Sequence, residues 1–317
     1  MTILSDVEFL KMWEANKNSP QKMSVATGIP VRSIYARRRL LEVKHGIEIR
    51  ARQEKPFIEK HSARINVPIE NGTVIVFSDA HFWDTTPSTA YRALIKFIDE
   101  LKPSLIVCNG DAFDGASISR HGRIGFLEER PTVIQELEAC KAMLGYIEDA
   151  AKKVKPSPVL TWTLGNHDSR FETYLAAVAP QFEFVDGFHL KDHFPNWRPC
   201  WATWVNDNVC IKHRWKGGVH ATHNNTLGSG TSMVTGHLHS LKVTPYTDYT
   251  GTRYDVDTGT LAEVDGDMFL NYTEDNPKNW RSGFGVLTFY KNKLLPPELV
   301  EVIDDGVVSF RGKVHEV

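Results

Sequence analysis

Three short apolar runs, each closed by a cluster of Asp, Asn and His, constrain this chain more than any other feature. Thr73 to Phe77 runs into Ser78-Asp79-Ala80-His81, Ser104 to Cys108 into Gly110-Asp111-Ala112-Phe113-Asp114, and Pro158 to Leu164 into Gly165-Asn166-His167-Asp168. Short runs this rich in Val, Ile and Leu read as strands buried on both faces. Amphipathic stretches over Ser88 to Leu101 and Thr132 to Lys153 read as helices between them. Alternating strand and helix predicts parallel pairing with crossovers. Ligands in open α/β sheets bind outside the carboxyl ends of the strands, so this order delivers all three clusters to one edge. A single D-x-H often does no more than close a turn; three clusters at successive strand ends imply a site.

Two later clusters follow the same logic. Asn208 to Lys212 reads as a strand running into His213, and Met233 to Thr235 as one running into Gly236-His237-Leu238-His239. Residues two apart on an extended segment point to opposite sides. Both histidines therefore serve one site only if the backbone turns there, which Gly236 eases. His220 and His223 lie close to His213 in sequence and are alternatives to it. With Gly285 to Tyr290 also read as a strand and few helices in between, the second half is expected to supply a mostly antiparallel sheet.

The ordered series D-x-H, G-D-x-x-D, G-N-H-D, a lone His after a strand, and G-H-x-H over residues 79 to 239 resembles the calcineurin-like metallophosphoesterase superfamily. The resemblance covers residues 73 to 317. It implies an α/β fold, a β-sandwich flanked by helices in αββα order, and hydrolysis by a hydroxide activated between two divalent cations. Asp79, His81 and His239 would hold one cation, Asn166, His213 and His237 the other, and Asp111 would bridge them. The mixed donor set suits manganese, iron, zinc, nickel or cobalt better than calcium or magnesium and does not choose among them; manganese is the expected cation. His167 would protonate the leaving oxygen and Asp114 would orient it; the alternative for Asp114 is a loop cap. Gly115 stands where the phosphoprotein phosphatases of this superfamily carry a phosphate-gripping Arg, which weakens a protein-phosphatase reading. Arg120, His121 and Arg123 are candidates to supply substrate-side charge instead. Trp197, Trp201, Trp204 and Trp215 are either core or a base-binding wall, and Asp257-Thr258-Gly259-Thr260 reads as a structural turn.

The resemblance leaves out the N-terminus. The chain has 317 residues, more than the roughly 250 at which single cores stop growing, so two parts are expected. Residues 1–46 read as a small all-helical domain, 47–72 as a linker. Through residue 65 there are 13 Lys and Arg against 7 Asp and Glu, whereas the remainder has 24 against 32. The stretch VATGIPVRSIYARRRL looks like a helix-turn-helix, a short helix, a Gly-containing turn and a basic helix. Arg32, Arg37, Arg38 and Arg39 are its candidate nucleic-acid contacts; the other reading is an assembly element with a solvated basic face.

The expected activity is therefore a phosphodiesterase acting on nucleic acid. Alternatives are a phosphodiesterase or phosphatase for a small nucleotide or cyclic nucleotide, and a non-catalytic DNA-binding protein on a retired hydrolase fold. No run of about 18 apolar residues occurs, and the acidic N-terminus is unlike a signal peptide, so a soluble, cytoplasmic protein with no membrane partner is expected. Cys108, Cys140, Cys200 and Cys210 form no C-x-x-C pair and read as free core thiols. The metal, the phosphoester and the oligomeric state are not fixed by these patterns.

Overall fold

The apolar runs fold as the periodicity predicts. A computed structural model of the protein describes residues 4–47, 49, 63–121, 130–266, 268, 269, 273 and 276–317. They form two compact units, Met1–His61 and Ser62–Val317.

In the first unit, α1 (Asp6–Ala15), α2 (Pro20–Thr27) and α3 (Val31–His45) bury Phe9, Trp13, Met23, Ile34 and Leu41 in a core of their own. Ser5 and Glu8 close a capping box on α1, Ser19 caps α2, and Gly28 ends α2 at φ 70°. Each such cap is worth ~1 kcal/mol. The basic run of α3 differs from the expectation of a largely solvent-facing face. Arg37 pairs with Asp6 at 2.5 Å. Arg38 lies 5.9 Å over Trp13 and 5.6 Å over Tyr35, and 3.6 Å from Glu42. Those two arginines hold the helices together, and Arg32 and Arg39 are the exposed ones. The reason is chain reversal: α3 runs back past α1, so the acid that starts α1 meets the basic run of α3.

The second unit is a two-sheet sandwich. β1 (Arg64–Val67) precedes β2 (Gly72–Phe77), α4 (Thr89–Leu101), β3 (Leu105–Cys108), α5 (Val133–Lys153), β4 (Val159–Thr163), α6 (Asp168–Val178) and β5 (Arg198–Cys200). There follow β6 (Ala202–Val205), β7 (Val209–Ile211), α7 (Ala221–Ser229), β8 (Ser232–Thr235), β9 (Lys242–Asp248) and β10 (Gly251–Asp257). The chain ends with β11 (Gly283–Tyr290), β12 (Lys293–Leu294), β13 (Glu298–Asp304), β14 (Val307–Phe310) and β15 (Lys313–Glu316). One sheet runs β15-β14-β13-β11-β2-β3-β4-β5, with β12 on β11, and the other β1-β6-β7-β8-β10-β9.

Strand alternation divides the core. Val74 and Val76 of β2 face Val209, Ile211, Val234 and Val256 of the other sheet, while Ile75 and Phe77 face α4 and α5 through Leu94, Phe97, Leu144 and Ile147. Each such fully buried side chain contributes about 1.5–3 kcal/mol. The two-sided burial explains why β2 and β3 are unbroken apolar runs.

Two expectations need correction. The linker drawn over 47–72 is shorter, because Arg64–Val67 pairs parallel with Ala202–Val205; four residues are too few to show a period, and residues 48 and 50–62 of the expected linker lie outside the described ones. The antiparallel second half holds for β11, β13, β14 and β15. In the second sheet, however, β7–β8 and β8–β10 are parallel. α7 supplies the crossover between β7 and β8, and its sequence ATHNNTLGS has too little apolar period to be read as a helix. All four cysteines are free and buried.

Candidate metal centre

Three of the five clusters leave their strands through left-handed residues. Asp79, His81, Asp111, His237 and His239 have φ of 53°, 43°, 54°, 72° and 54°, the left-handed region that costs on the order of 1–3 kcal/mol at a non-glycine residue. That conformation lets Asp79 with His81, and His237 with His239, face one centre. The preceding glycines are needed for room. A Cβ on Gly236 would lie 2.6 Å from Asp79 Oδ2, one on Gly165 would collide with Asp111, and one on Gly110 with the His213 ring.

The motifs also aim one another. Asp79 Oδ2 accepts from the His237 backbone N–H at 2.9 Å, and Asp111 Oδ1 from that of His167 at 2.8 Å. The other oxygens face inward: Asp79 Oδ1 is 3.1 Å from His239 Nε2 and Asp111 Oδ2 is 3.0 Å from His213 Nε2. His213 Nδ1–H donates to Asn109 O at 2.8 Å and His81 Nδ1–H to Asp114 Oδ1 at 2.7 Å, which leaves Nε2 of each ring directed at the centre. Asp79, His81 and His239 present donor atoms within 4.8 Å of one another, and so do Asp111, His213 and His237. Asn166 Oδ1, His81 Nε2 and His213 Nε2 are buried with no hydrogen-bond partner. His220 and His223, the alternatives to His213, are exposed.

The electrostatics suit a cation. Burial opposes ionisation of Asp79, yet His239 and His213 hold it down at about 2. Burial likewise opposes a charge on His213, and Asp111 and Asp79 overcome it, raising the imidazole to about 10. Burial and the neighbouring His213 push His237 down to about 4, so it offers a neutral ring. Two buried carboxylates that raise a buried histidine so far form a centre that attracts positive charge, and with imidazole and amide donors around it the set fits a divalent cation.

Asp168, in the sequence no more than the last letter of a motif, is the tie beneath the centre. Its carboxylate accepts from the backbone N–H groups of Asp111 at 2.9 Å, Ala112 at 3.1 Å, Phe113 at 3.1 Å and Gly165 at 2.8 Å, and from Trp162 Nε1 at 3.0 Å. Burial and the Asp111 charge push it up to about 6, still a carboxylate at neutral pH.

His167 and Asp114 meet as expected. His167 Nδ1–H donates to Asp114 Oδ1 at 2.7 Å, and its Nε2 is 3.9 Å from Asp111 Oδ2. Burial disfavours the imidazolium, but Asp111 and Asp114 outweigh it and raise its pKa. Sequence reasoning missed Arg170. Its Nη1 donates to Asp114 O at 2.9 Å and its Nη2 to His167 Nε2 at 3.1 Å. A guanidinium only donates, so Nε2 accepts there and the imidazole proton sits on Nδ1. The Gly115 departure has a steric reason: at φ 65°, a Cβ would meet Phe113 at 3.1 Å and Arg170 at 3.2 Å. The cation beside His167 and Asp114 is Arg170, in the first turn of α6. Arg120 and His121 are exposed; Arg123 lies outside the described residues.

The four tryptophans singled out in the sequence are not the aromatic residues beside the centre. Trp197 is core, edge-on to Phe77 with ring centroids 6.3 Å apart, and Trp201 and Trp215 are about half exposed. Trp204 lies under Arg64, 4.3 Å away. Beside the centre stand Trp280, 4.5 Å from His239, and Phe269, 5.3 Å from His81. They come from a stretch without apolar period, so no pattern marks them. Asp257 is structural as expected, accepting from Ser240 Oγ at 2.8 Å and Gly259 N at 3.0 Å. No described helix is long and apolar enough to cross a membrane.

A family model described as calcineurin-like phosphoesterase matches residues 72–280. The chain is 28% identical over 248 residues to the Gene 54 protein of Mycobacterium phage L5, covering 71% of this chain and 92% of that one. It is 29% identical over 249 residues to the Gene 54 protein of Mycobacterium phage D29, with the same coverage. Among solved structures it resembles wild-type Vps29 of Entamoeba histolytica complexed with zinc, with a TM-score of 0.39 at 12% identity over 77% of this chain and 98% of that one. The phosphoesterase Yfce of E. coli aligns with a TM-score of 0.33 at 16% identity over 75% and 91%.

Proposed function

The chain belongs to the calcineurin-like phosphoesterase family, and from that premise we propose that it is a phosphodiesterase acting on nucleic acid, with two divalent cations held by Asp79, His81, Asp111, Asn166, His213, His237 and His239. Membership makes it a metal-dependent hydrolase of phosphoester bonds; the ligand assignment and the substrate are our reading. The observation that carries it is the convergence of buried donor atoms without hydrogen-bond partners, His81 Nε2, Asn166 Oδ1 and His213 Nε2, on two inward-facing carboxylates. An unsatisfied buried polar atom costs about 1–3 kcal/mol, so three in one place mark a ligand. Asp79, His81 and His239 form one half, Asn166, His213 and His237 the other, and Asp111 joins them. When bound, the cations supply Lewis acidity to phosphoryl oxygens and lower the pKa of the attacking water; the donor set does not choose among manganese, iron, zinc, nickel and cobalt, of which we propose manganese.

The rest is done by side chains. Arg170, which bonds to His167 Nε2, engages a phosphoryl oxygen and in doing so gives up that nitrogen. The freed Nε2 takes up a proton from solvent water, which the Asp111 and Asp114 carboxylates favour, and His167 delivers it to the leaving oxygen while Asp114 fixes its Nδ1 end. General acid catalysis of this kind contributes ~10²–10⁴-fold. His167→Asn is accordingly expected to slow alkyl phosphodiesters by about that factor and p-nitrophenyl esters much less, with metal content nearly intact, because an activated leaving group needs no proton. Equal slowing of both classes would remove His167 from this role.

Nucleic acid as substrate rests on the basic head, in which Arg32 and Arg39 are the exposed members of the basic run. The double variant Arg32→Gln, Arg39→Gln is expected to weaken DNA binding and to lower the slope of log K against log salt by about 0.9 for each phosphate no longer neutralised. Hydrolysis of a small diester should be unmoved. An unchanged salt slope would sink the DNA-binding reading. Leu40 and Val43, 64% and 86% exposed on the same helix, favour the second reading, assembly. A change of oligomeric state in Leu40→Ser, Val43→Ser with DNA binding intact would select it.

A further inference from the structure

One cleft beside the metal centre has no part in the reading above. It encloses about 570 Å³, within the roughly 300–1,000 Å³ of small-molecule sites. His81 stands in its wall, so it reaches the centre, and it extends between the segment after β2, the start of α4 and residues 261–263, 266 and 268. Its apolar walls include Phe82, Trp83, Tyr91 and Leu261. Phe82 and Tyr91 are fixed, both buried and edge-on with ring centroids 6.1 Å apart. The indole Nε1 of Trp83 is buried without an acceptor. A buried N–H without an acceptor costs about 1–3 kcal/mol, so a ligand that lets the Trp83 ring turn and supplies a carbonyl recovers that cost.

Its polar walls are acidic. Asp84, Glu263 and Asp305 all border it. Arg92, the one cation among its described lining residues, is 2.9 Å from Asp305 and committed to it. Such a cleft repels a phosphate backbone. It suits a flat, uncharged ring system with N–H and C=O edges: aromatic faces stack on it, carboxylates accept its N–H or sugar O–H groups, and the indole N–H donates to a carbonyl.

We propose that this cleft binds the nucleoside portion of the substrate, so that the scissile phosphate at the metal centre is flanked on that side by a single nucleoside and no further phosphate. The inference rests on the phosphodiesterase reading for its place in a substrate, though not for nucleoside binding itself. It narrows the substrate to the end of a strand or a small nucleotide, and excludes a bond deep within a strand.

Fluorine NMR of the full chain labelled with 5-fluorotryptophan tests binding without catalysis, the Trp83 line being the one lost in Trp83→Phe. Thymidine and adenosine are expected to shift that line saturably and glucose to leave it in place. With manganese present, thymidine 5′-p-nitrophenyl phosphate is expected to be favoured over methyl p-nitrophenyl phosphate by at least about tenfold in kcat/KM, the scale of one base–aromatic stack. In Trp83→Ala that preference should fall towards unity. A Trp83 line that stays still at saturating nucleoside, or a preference unchanged in Trp83→Ala, overturns the proposal. Shifts with nucleoside but no hydrolysis of either ester under any divalent cation would overturn the phosphodiesterase reading and leave the nucleoside site standing. A short oligodeoxynucleotide that moves the line at lower concentration than thymidine identifies a strand end; movement by mononucleotides alone identifies a small nucleotide.

Discussion

Asp111→Asn is expected to lower kcat/KM for a phosphodiester by at least about 10³-fold, the several kcal/mol that bound cations contribute to a phosphoryl transition state, and to lower metal occupancy at both positions together. Asp111 is the only side chain assigned to both halves of the centre. Its Oδ1 is held by the His167 backbone N–H and its Oδ2 stands 3.0 Å from His213 Nε2. Asn keeps the shape and removes the charge. The metal-free variant should also be less stable than the parent, because His213 and His167 overcome the burial of the Asp111 carboxyl and hold it well below the usual carboxylate range, and Asn leaves the buried His213 without that partner. The pattern to look for is thus lost activity and lost metal in a protein that still unfolds cooperatively, with a lowered urea midpoint. Loss of one cation with the other retained at parental affinity would refute the bridging assignment, as would full activity with both bound.

The parts of this centre that are legible in the sequence share a property: each is a short local pattern at the end of an apolar run. The strands β2, β3 and β4 are buried on both faces, so their composition alone shows them, and the polar residue after each stands out. What is not legible depends on pairs distant in sequence. Whether Arg37 and Arg38 are free or engaged is decided by Asp6, Trp13 and the path of α3 past α1, which a run of three arginines does not encode. The parallel pairs of the second sheet depend on α7, whose buried face is polar: Thr222, Asn225 and Thr226. Apolar period cannot show a helix that packs on a sheet through Thr and Asn. Phe269 and Trp280 stand against His81 and His239, yet the sequence around them has no apolar period to mark them. Arg170 does carry a signal, one that the motif pattern passes over. It lies three residues after His167, and if Asp168 opens a helix, residues at that spacing share a face.

Asp168→Ala is expected to destabilise the metal-free protein by about 4–5 kcal/mol, at the exceptional end for single substitutions. The reasoning is a count of donors. Four backbone N–H groups and the Trp162 indole N–H converge on one fully buried carboxylate, and each buried donor left without an acceptor costs about 1–3 kcal/mol. Relaxation and entering water reduce the sum to the stated range. Asp168→Asn separates acceptor capacity from charge. Oδ2 accepts from Asp111, Gly165 and Trp162, and Oδ1 from Ala112 and Phe113. An amide can serve one group while its N–H₂ faces the other donors, so it should recover part of the stability and never all of it. Because the same carboxylate fixes the backbone of Asp111, both variants should also bind metal more weakly, although Asp168 reaches no cation itself. If Asp168 were merely a favourable charge in the first turn of α6, either substitution would cost no more than about 1 kcal/mol. A urea-denaturation difference that small, with metal affinity unchanged, would show that the two strand-end loops are held together by something other than this carboxylate.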